Sequence, residues 1–299
     1  MNVQEAVLRR RDLLLASIAL AIVPTPVRGA VAKAERVVSL DYGLASTMLA
    51  LGVTPTAVVA LRNWDEWVVE PRMPAGVIDL GTTAEINLEV LTSIEPSLIL
   101  STPFLAALDE KLSEFAPIMT FTIYAEGGDA LDRSYAETLR LGATLGRSDE
   151  AKALLAGADA FFERLRERLY RLSAPPVAVI NFLDQRHARI YGGPGLYGGT
   201  MRRIGLRNGW TGQASYWGFE TIGLEQLASL DEETHLIAVE PLIPRDVLSR
   251  LQESALWTGL PFAQKHRVST IPGVLMFGMV QEAMRFGALV VDTLEAAHR

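Results

Sequence analysis

The stretch DEAKALLAGADAFFERLRERLYRL, residues 149–172, contains the strongest helical pattern in the chain. Its apolar side chains recur at steps of three and four residues, and charged residues occupy the other faces. Ser148 is suited to cap the start of this helix, and Pro175 and Pro176 follow its end. At about 1.5 Å per residue the helix would span roughly 36 Å, the length of a lobe. The apolar positions are Leu154, Ala158, Phe161, Leu165, Leu169 and Leu172.

Two segments that precede this helix have counterparts that follow it. INLEVLTSIEPSLIL, residues 86–100, is matched by IGLEQLASLDEETHLIAV, residues 222–239. GLASTMLALGV, residues 43–53, is matched by GLYGGTMRRIGL, residues 195–206. Each half therefore has the pattern of a strand, a glycine turn and a helix, followed later by a short helix and another strand. Alternating strands and helices predict a mainly parallel sheet that is covered on both faces.

These patterns predict an α/β fold with two similar lobes joined by one long α-helix. The chain of 299 residues, 49% of them hydrophobic, is long and apolar enough for more than one lobe. We assign residues 33–147 to the N-terminal lobe, residues 148–173 to the linker helix and residues 174–299 to the C-terminal lobe. A long helix is a stiff connection, so we expect little closure of the lobes on ligand binding.

Residues 1–32 have the features of a signal peptide. Three arginines, residues 9–11, precede the apolar run of residues 13–23, and the small residues Ala30, Val31 and Ala32 follow. The apolar run is shorter than the about 20 residues that a membrane-spanning helix needs, so we expect cleavage after Ala32 and release into the periplasm, with a retained anchor as the alternative. The arginines resemble a twin-arginine signal, but Leu13 replaces its usual phenylalanine, so the export route stays open.

Composition excludes several classes of function. The chain has a formal net charge of -7 and no basic run beyond its first residues, which argues against a nucleic-acid partner. It contains no cysteine, so disulfides, thiolate nucleophiles and thiolate metal sites are excluded. It has neither a Gly-x-Ser-x-Gly elbow nor a P-loop lysine. We expect no metal site, because the histidines are scattered along the sequence at His187, His235, His266 and His298.

One motif favours a different class of protein. Gly193, Gly195 and Gly198 form a Gly-x-Gly-x-x-Gly pattern after a strand and before a helix, which is the form of a dinucleotide-binding turn. A nucleotide-dependent oxidoreductase is therefore a distant alternative. The matching turn of the first half, DYGLAS, lacks these glycines, and this difference weighs against the alternative.

Six segments in order give the chain a specific family resemblance. It resembles the periplasmic binding proteins for iron-siderophore and vitamin B12 uptake, and above all those for ferric hydroxamate (ferrichrome-type) siderophores. The resemblance implies a non-enzymatic, monomeric receptor without a cofactor, which binds iron already wrapped in its chelator. The segments are WVVEPRMPAGVIDLG from Trp67, EINLEVL from Glu85, QRHARIYG from Gln185, YWGFETIGLEQLA from Tyr216, ALWTGLPFAQKHRV from Ala255 and IPGVLMFG from Ile271.

The resemblance also implies a ligand cleft between the lobes. The chain departs from the family at two polar anchors, since Thr83 replaces the arginine expected after DLG and Leu105, beside Phe104, replaces a tyrosine. Arg62 and Arg186 are candidates to replace the lost charge. A siderophore is expected, a hydroxamate is favoured, and heme or a corrinoid is the alternative. The other residues that match or neighbour pocket positions of the family are Trp67, Trp217, Met276 and Phe277.

Glu89 and Glu225 occupy equivalent positions in the two halves. In the family that the chain resembles, one glutamate on each lobe contacts arginines of the membrane permease. We therefore expect these two residues to dock the protein onto an inner-membrane ABC permease with its ATPase subunits. The alternative is that each carboxylate only stabilises the start of its own helix.

Overall fold

The computed structural model describes residues 35–299 and contains two five-stranded sheets. The first sheet is parallel throughout, with the strand order β3-β2-β1-β4-β5. Its strands are β1 (Val37–Ser39), β2 (Ala57–Val58), β3 (Ile78–Asp79), β4 (Leu98–Ser101) and β5 (Ile118–Thr120). The predicted signal peptide, residues 1–32, lies outside the described residues.

The second sheet is mixed and has the order β10-β9-β6-β7-β8. Its strands are β6 (Val177–Phe182), β7 (His187–Tyr191), β8 (Phe219–Gly223), β9 (His235–Val239) and β10 (Val268–Ile271). β10, β9 and β6 are parallel, whereas β7 is antiparallel to both of its neighbours. The cause is the short turn of residues 183–186, because a parallel pair would need a crossover of a dozen or more residues. Asp184 closes this turn by accepting a hydrogen bond from the His187 backbone N–H at 2.8 Å.

Eleven α-helices flank the sheets in residues 35–299. In the first half they are α1 (Tyr42–Ala50), α2 (Trp64–Trp67), α3 (Leu88–Ile94), α4 (Asp109–Leu112) and α5 (Ala130–Thr144). The connecting helix is α6 (Ser148–Leu172), and the second half contains α7 (Leu196–Arg203), α8 (Val247–Leu251), α9 (Ala255–Thr258), α10 (Pro261–Gln264) and α11 (Val280–Ala297). Two α/β lobes joined by one long helix are therefore confirmed. Within residues 35–299, no helix combines the length and the apolar character that crossing a membrane requires.

The cap and the buried face of α6 differ from those expected from the sequence. Ser148 is the first helical residue, and Arg147 holds the cap position without a side-chain hydrogen bond. The predicted stripe is also displaced by one residue in two turns, where Leu155 and Phe162 are buried in place of Leu154 and Phe161. Each of these sites has two adjacent apolar residues, so periodicity alone could not choose between them.

The two lobes share one hydrophobic core around α6. This core contains residues of the first lobe, such as Leu44 on α1 and Phe121 just after β5. It also contains residues of the second sheet, such as Val179 and Ile237. α6 lies against α5 and α11. The approach of α11 is close at Gly287, where an added Cβ would lie 2.9 Å from a methyl group of Leu165. The C-terminal helix thus packs into the junction of the lobes.

The repeated segments adopt related structures that differ in their caps. In the first copy Asn87 caps α3 as predicted, accepting a hydrogen bond from the Val90 N–H at 3.0 Å. The second copy forms a 3₁₀-helix, Leu224–Ser229, where the first copy forms an α-helix. The residue at its cap position is Gly223, which has no side chain to accept such a bond. Both segments are followed by a central strand, β4 or β9.

Adjacent phenylalanines on α6 test its buried face. We expect Phe162→Ala to lower the free energy of unfolding by about 3–5 kcal/mol, because Phe162 is 1% exposed and its loss leaves a cavity. Phe161→Ala is the matched control and should cost clearly less, since its ring is only partly buried. Urea unfolding of both variants measures the difference. Equal costs would contradict the orientation of α6 described here.

Candidate ligand-binding cleft

A cleft of about 940 Å³ lies between the two lobes. Its walls are formed largely by residues that follow the carboxyl ends of strands, where ligands bind in open α/β sheets. In the first lobe these wall residues include Leu40, Asp41, Val59 and Thr102, and in the second lobe Leu183 and Glu240, beside Asn181 near the carboxyl end of the β6 strand. The volume is in the range of small-molecule sites.

All seven residues selected from the sequence border this cleft. They differ in how far they reach into it, since Phe104 is 73% exposed whereas Leu105 is 6% exposed and packs into the core of the first lobe. Leu105, where the resemblance leads us to expect a tyrosine, is thus mainly a core position, and its neighbour Phe104 presents an aromatic ring. The seven residues are Trp67, Thr83, Phe104, Leu105, Trp217, Met276 and Phe277.

Trp217 is the centre of an aromatic cluster that spans the cleft. Its ring stacks on Tyr124 of the first lobe, with centroids 5.9 Å apart, and contacts the edge-on rings of Phe277 and Phe104 at 5.6 and 6.4 Å. Such geometries are favourable for aromatic pairs. The cluster connects wall residues of both lobes.

Tyr124 has a structural role that sequence reasoning missed. Its hydroxyl donates a hydrogen bond to the Met276 backbone oxygen at 2.6 Å and so holds the segment before α11 against the first lobe. Burial raises the pKa of Tyr124 well above its ordinary value, so the hydroxyl remains a donor. Tyr124 lies in a loop without periodicity, so no pattern pointed to it.

The arginines proposed from the sequence do not line the cleft. Arg62 is exposed and pairs with Asp79 at 3.5 Å, and Arg186 borders a separate pocket of about 290 Å³. Arg189 on β7 lines the cleft instead. The signal that could have found it is the alternation in QRHARIYG, which puts Arg189 on the same strand face as Tyr191.

Glu89 and Glu225, the two residues expected to contact a permease, are exposed and lie away from the cleft. Glu89 is in the first turn of α3, and Glu225 is in the first turn of the 3₁₀-helix. Glu225 borders the 290 Å³ pocket together with Arg186, Leu256 and Trp257. The two residues therefore occupy equivalent places in the structure, because each lies in the first turn of a short helix and there is one such helix on each lobe.

Backbone atoms of the protein occupy the space next to the glycines of the Gly-x-Gly-x-x-Gly motif. Gly195 lies so close to Gly218 that an added Cβ would be 2.4 Å from the Gly218 Cα, and a Cβ on Gly198 would be 2.5 Å from the Gly193 oxygen. The strand before the motif is β7, which is antiparallel to its neighbours, whereas a dinucleotide turn follows a parallel strand. These glycines serve close packing of the backbone. Residues 35–299 contain no cluster of three or more histidine or acidic side chains that could hold a metal ion.

Asp41 places a carboxyl with an altered pKa on the cleft wall. It caps α1 by accepting a hydrogen bond from the Leu44 N–H at 2.9 Å. Burial raises the pKa of Asp41 from 3.8 to about 6, against the opposing effect of the Leu44 and Gly43 backbone hydrogen bonds. Burial also raises the pKa of Glu282, at the start of α11, and the charge of Asp41 adds to this effect. The cleft therefore gains negative charge as pH rises through 6.

An Asp41→Asn variant tests this carboxyl. The folded protein favours the protonated form because its pKa exceeds the unfolded value, so wild-type stability falls as pH rises from about 4 to above 6. The asparagine keeps the cap and does not ionise. We expect the variant to gain stability relative to wild type over this range, by roughly 2–3 kcal/mol. Urea unfolding at pH values near 4 and 7.5 measures the gain.

Asp149→Asn is the control, because its carboxyl is almost fully exposed on α6. This variant should show little pH-dependent difference from wild type. A difference between Asp41→Asn and wild type that is constant with pH would contradict the buried-carboxyl account.

Comparisons with known sequences identify several relatives. The Escherichia coli iron(3+)-hydroxamate-binding protein FhuD is 28% identical over 252 residues, which are 84% of this chain and 84% of that protein. The achromobactin-binding periplasmic protein of Dickeya dadantii is 26% identical over 258 residues, with 80% of this chain and 79% of that protein covered. Both relatives are binding proteins by name.

Solved structures show the same fold. Vibrio cholerae FhuD with bound Fe³⁺-Desferal has a TM-score of 0.82 at 24% identity, covering 88% of this chain and 98% of that one. Bacillus subtilis FeuA with ferri-bacillibactin has a TM-score of 0.71 at 16% identity, covering 89% and 94%. The model of the "Periplasmic binding protein" family matches residues 37–275. The resemblance found in the sequence is confirmed, and the chain belongs to the periplasmic binding protein family.

Proposed function

We propose that the protein is the periplasmic receptor of an ABC importer and that it carries a ferric siderophore. The observation that carries this proposal is the 940 Å³ cleft between the lobes, lined by the aromatic cluster around Trp217. Flat aromatic rings and the soft side chain of Met276 suit the carbon shell of a chelated metal. The names of the relatives, which include hydroxamate- and achromobactin-binding proteins, support the same class of ligand.

The action of the protein is binding, docking and release. Its relatives are substrate-binding proteins, and the protein is accordingly a receptor and not an enzyme. Iron reaches the cleft inside its chelator, so the receptor needs no resident metal or cofactor of its own. Export through the signal sequence of residues 1–32, with cleavage after Ala32, would deliver the receptor to the periplasm.

A hydroxamate is the favoured chelator. The 28% identity to an iron(3+)-hydroxamate-binding protein supports this preference. The loss of the family's arginine at Thr83 and of its tyrosine at Leu105 requires another group to contact the iron-bound oxygens, because threonine cannot supply a charged fork of donors. Heme and a corrinoid are the ligands to test beside siderophores.

Glu89 and Glu225 form the proposed docking pair. Both carboxylates are exposed, one is on each lobe, and neither borders the ligand cleft. Two separated negative charges would form ion pairs with two guanidinium groups of a permease and so fix the orientation of the permease on the receptor. The ATPase subunits of the importer would then drive release.

Tryptophan fluorescence tests the ligand. Of the five tryptophans, Trp67 and Trp217 border the cleft. We expect saturable quenching by a ferric hydroxamate, and a smaller quenching amplitude in a Trp217→Phe variant, because one cleft fluorophore is lost. The titration panel contains ferric hydroxamate, citrate and catecholate complexes, heme and cobalamin. Quenching by heme or cobalamin alone would replace the siderophore assignment, and no quenching by any compound would contradict a receptor for this class.

Charge reversal tests the docking pair. We expect the double variant Glu89→Arg and Glu225→Arg to bind the iron complex like wild type but to lose most importer-dependent uptake, because cations would face the permease arginines. The matched control reverses Glu114 and Glu167, which are exposed elsewhere on the surface. Uptake of radiolabelled iron complex by cells or by importer-containing liposomes is the measurement. Normal uptake by the docking variant would leave these glutamates only the role of stabilising their helices.

A further inference from the structure

The cleft contains an unusual arginine. Among its described wall residues, the charged side chains are Asp41, Arg189 and Glu240, so Arg189 is the one cation. Its Nε atom is buried and has no hydrogen-bond partner within residues 35–299. It also takes no part in the ion pairs of this part of the chain. A buried donor without a partner is costly and is rare in folded proteins.

The position of Arg189 is fixed by its strand. It lies in the middle of β7, opposite Asn181 on β6 and Thr221 on β8. Its guanidinium carbon is 4.7 Å from the centre of the Phe219 ring, so a cation–π contact supports the group from one side. A strand residue held in this way is better oriented than a residue on a loop, and Arg189 is one of the residues that line the cleft.

The neighbours of Arg189 have their own partners. The Tyr191 hydroxyl donates to the Asn181 side-chain oxygen, and the Asn181 amide donates to the Val239 backbone oxygen at 2.6 Å. These polar groups have acceptors of their own, and the Nε–H of Arg189 is left without a hydrogen-bond partner. A ligand that brings oxygen acceptors to this wall would supply what the protein lacks.

From these observations we propose that Arg189 is the anchor that contacts the iron-bound oxygens of the chelate, and that it does so from the second lobe. This inference rests on the proposed siderophore function. The family's arginine would follow β3 in the first lobe, at the position of Thr83. The charged contact has thus moved across the cleft, and the chelate presents its oxygen face to β7 and its carbon shell to the aromatic cluster around Trp217.

The charge of the cleft limits the class of chelate. One cation and two carboxyl groups on the walls of the cleft suit a complex that is neutral or carries little charge, which is the case for ferric trihydroxamates. A ferric tricatecholate carries three negative charges and would need several cations, since each unpaired charge loses its hydration on entering the cleft. Arg189 therefore selects hydroxamate oxygens or a single carboxylate and disfavours tricatecholates.

The test compares Arg189→Gln, Arg189→Lys and wild type in titrations with Fe³⁺-Desferal, ferric citrate and a ferric tricatecholate. We expect Arg189→Gln to weaken binding of the hydroxamate complex by about 10- to 100-fold, the value of a lost charge-assisted hydrogen bond. Arg189→Lys should recover part of the affinity, because it keeps the charge without the fork of donors. Wild type should bind the tricatecholate more weakly than the hydroxamate.

Arg186→Gln is the matched control, because it lies three residues away, is exposed and borders only the separate pocket. It should bind like wild type. Thermal unfolding of each variant checks that the fold is intact, and Arg189→Lys supplies the result if the glutamine variant does not fold.

Four outcomes would change the inference or overturn it. If folded Arg189→Gln binds the hydroxamate complex with wild-type affinity, Arg189 is not the anchor, but the proposed receptor function is unaffected. If wild type binds the tricatecholate more tightly than the hydroxamate, the charge of the cleft does not select against highly charged complexes. Stronger binding of ferric citrate, lost in Arg189→Gln, would keep the anchor and assign it to a carboxylate. No binding of any iron complex by wild type would overturn the siderophore function itself, and the anchor with it.

Discussion

The packing of α11 against α6 is the constraint on which the rest of the structure depends. Gly287 allows the two helices to approach closely, because a Cβ at this position would lie 2.9 Å from a methyl group of Leu165. Arg168 of α6 adds ion pairs to Asp292 and Glu295 at 2.6 and 2.8 Å. Since the core around these helices includes residues of both lobes, the lobes cannot separate without exposing it. The cleft is therefore largely preformed.

A preformed cleft changes how binding energy is used. Tyr124 bonds to the backbone of the segment that carries Met276 and Phe277, so one wall is attached to the other lobe before any ligand arrives. Little ordering remains to be done when the chelate enters, and less of the contact energy is lost to conformational entropy. The unpaired Nε of Arg189 fits this arrangement, because a rigid strand can keep a donor in place without an internal partner.

The sequence allowed the fold and the outline of the cleft to be predicted, but not its polar chemistry. The helix, the repeat and the aromatic residues leave periodic or family-specific signals that survive in a single chain. The face of α6 was misjudged because Phe161 and Phe162 are equally apolar, and only tertiary packing distinguishes them. The antiparallel β7 was missed because strand direction depends on the length of one turn. Arg189 and Asp41 acquire their properties from burial, which the sequence does not contain.

The contact between Gly195 and Gly218 has a consequence for how this receptor can be changed. A Cβ on Gly218 would lie 2.1 Å from the Gly195 Cα, and its φ of +83° is also unsuited to other residues. The residues just before it, Tyr216 and Trp217, face the cleft without this restriction. Engineering of the ligand range can therefore vary these two side chains, at the cost of their aromatic contacts, while Gly218 keeps the backbone that carries them against the start of α7.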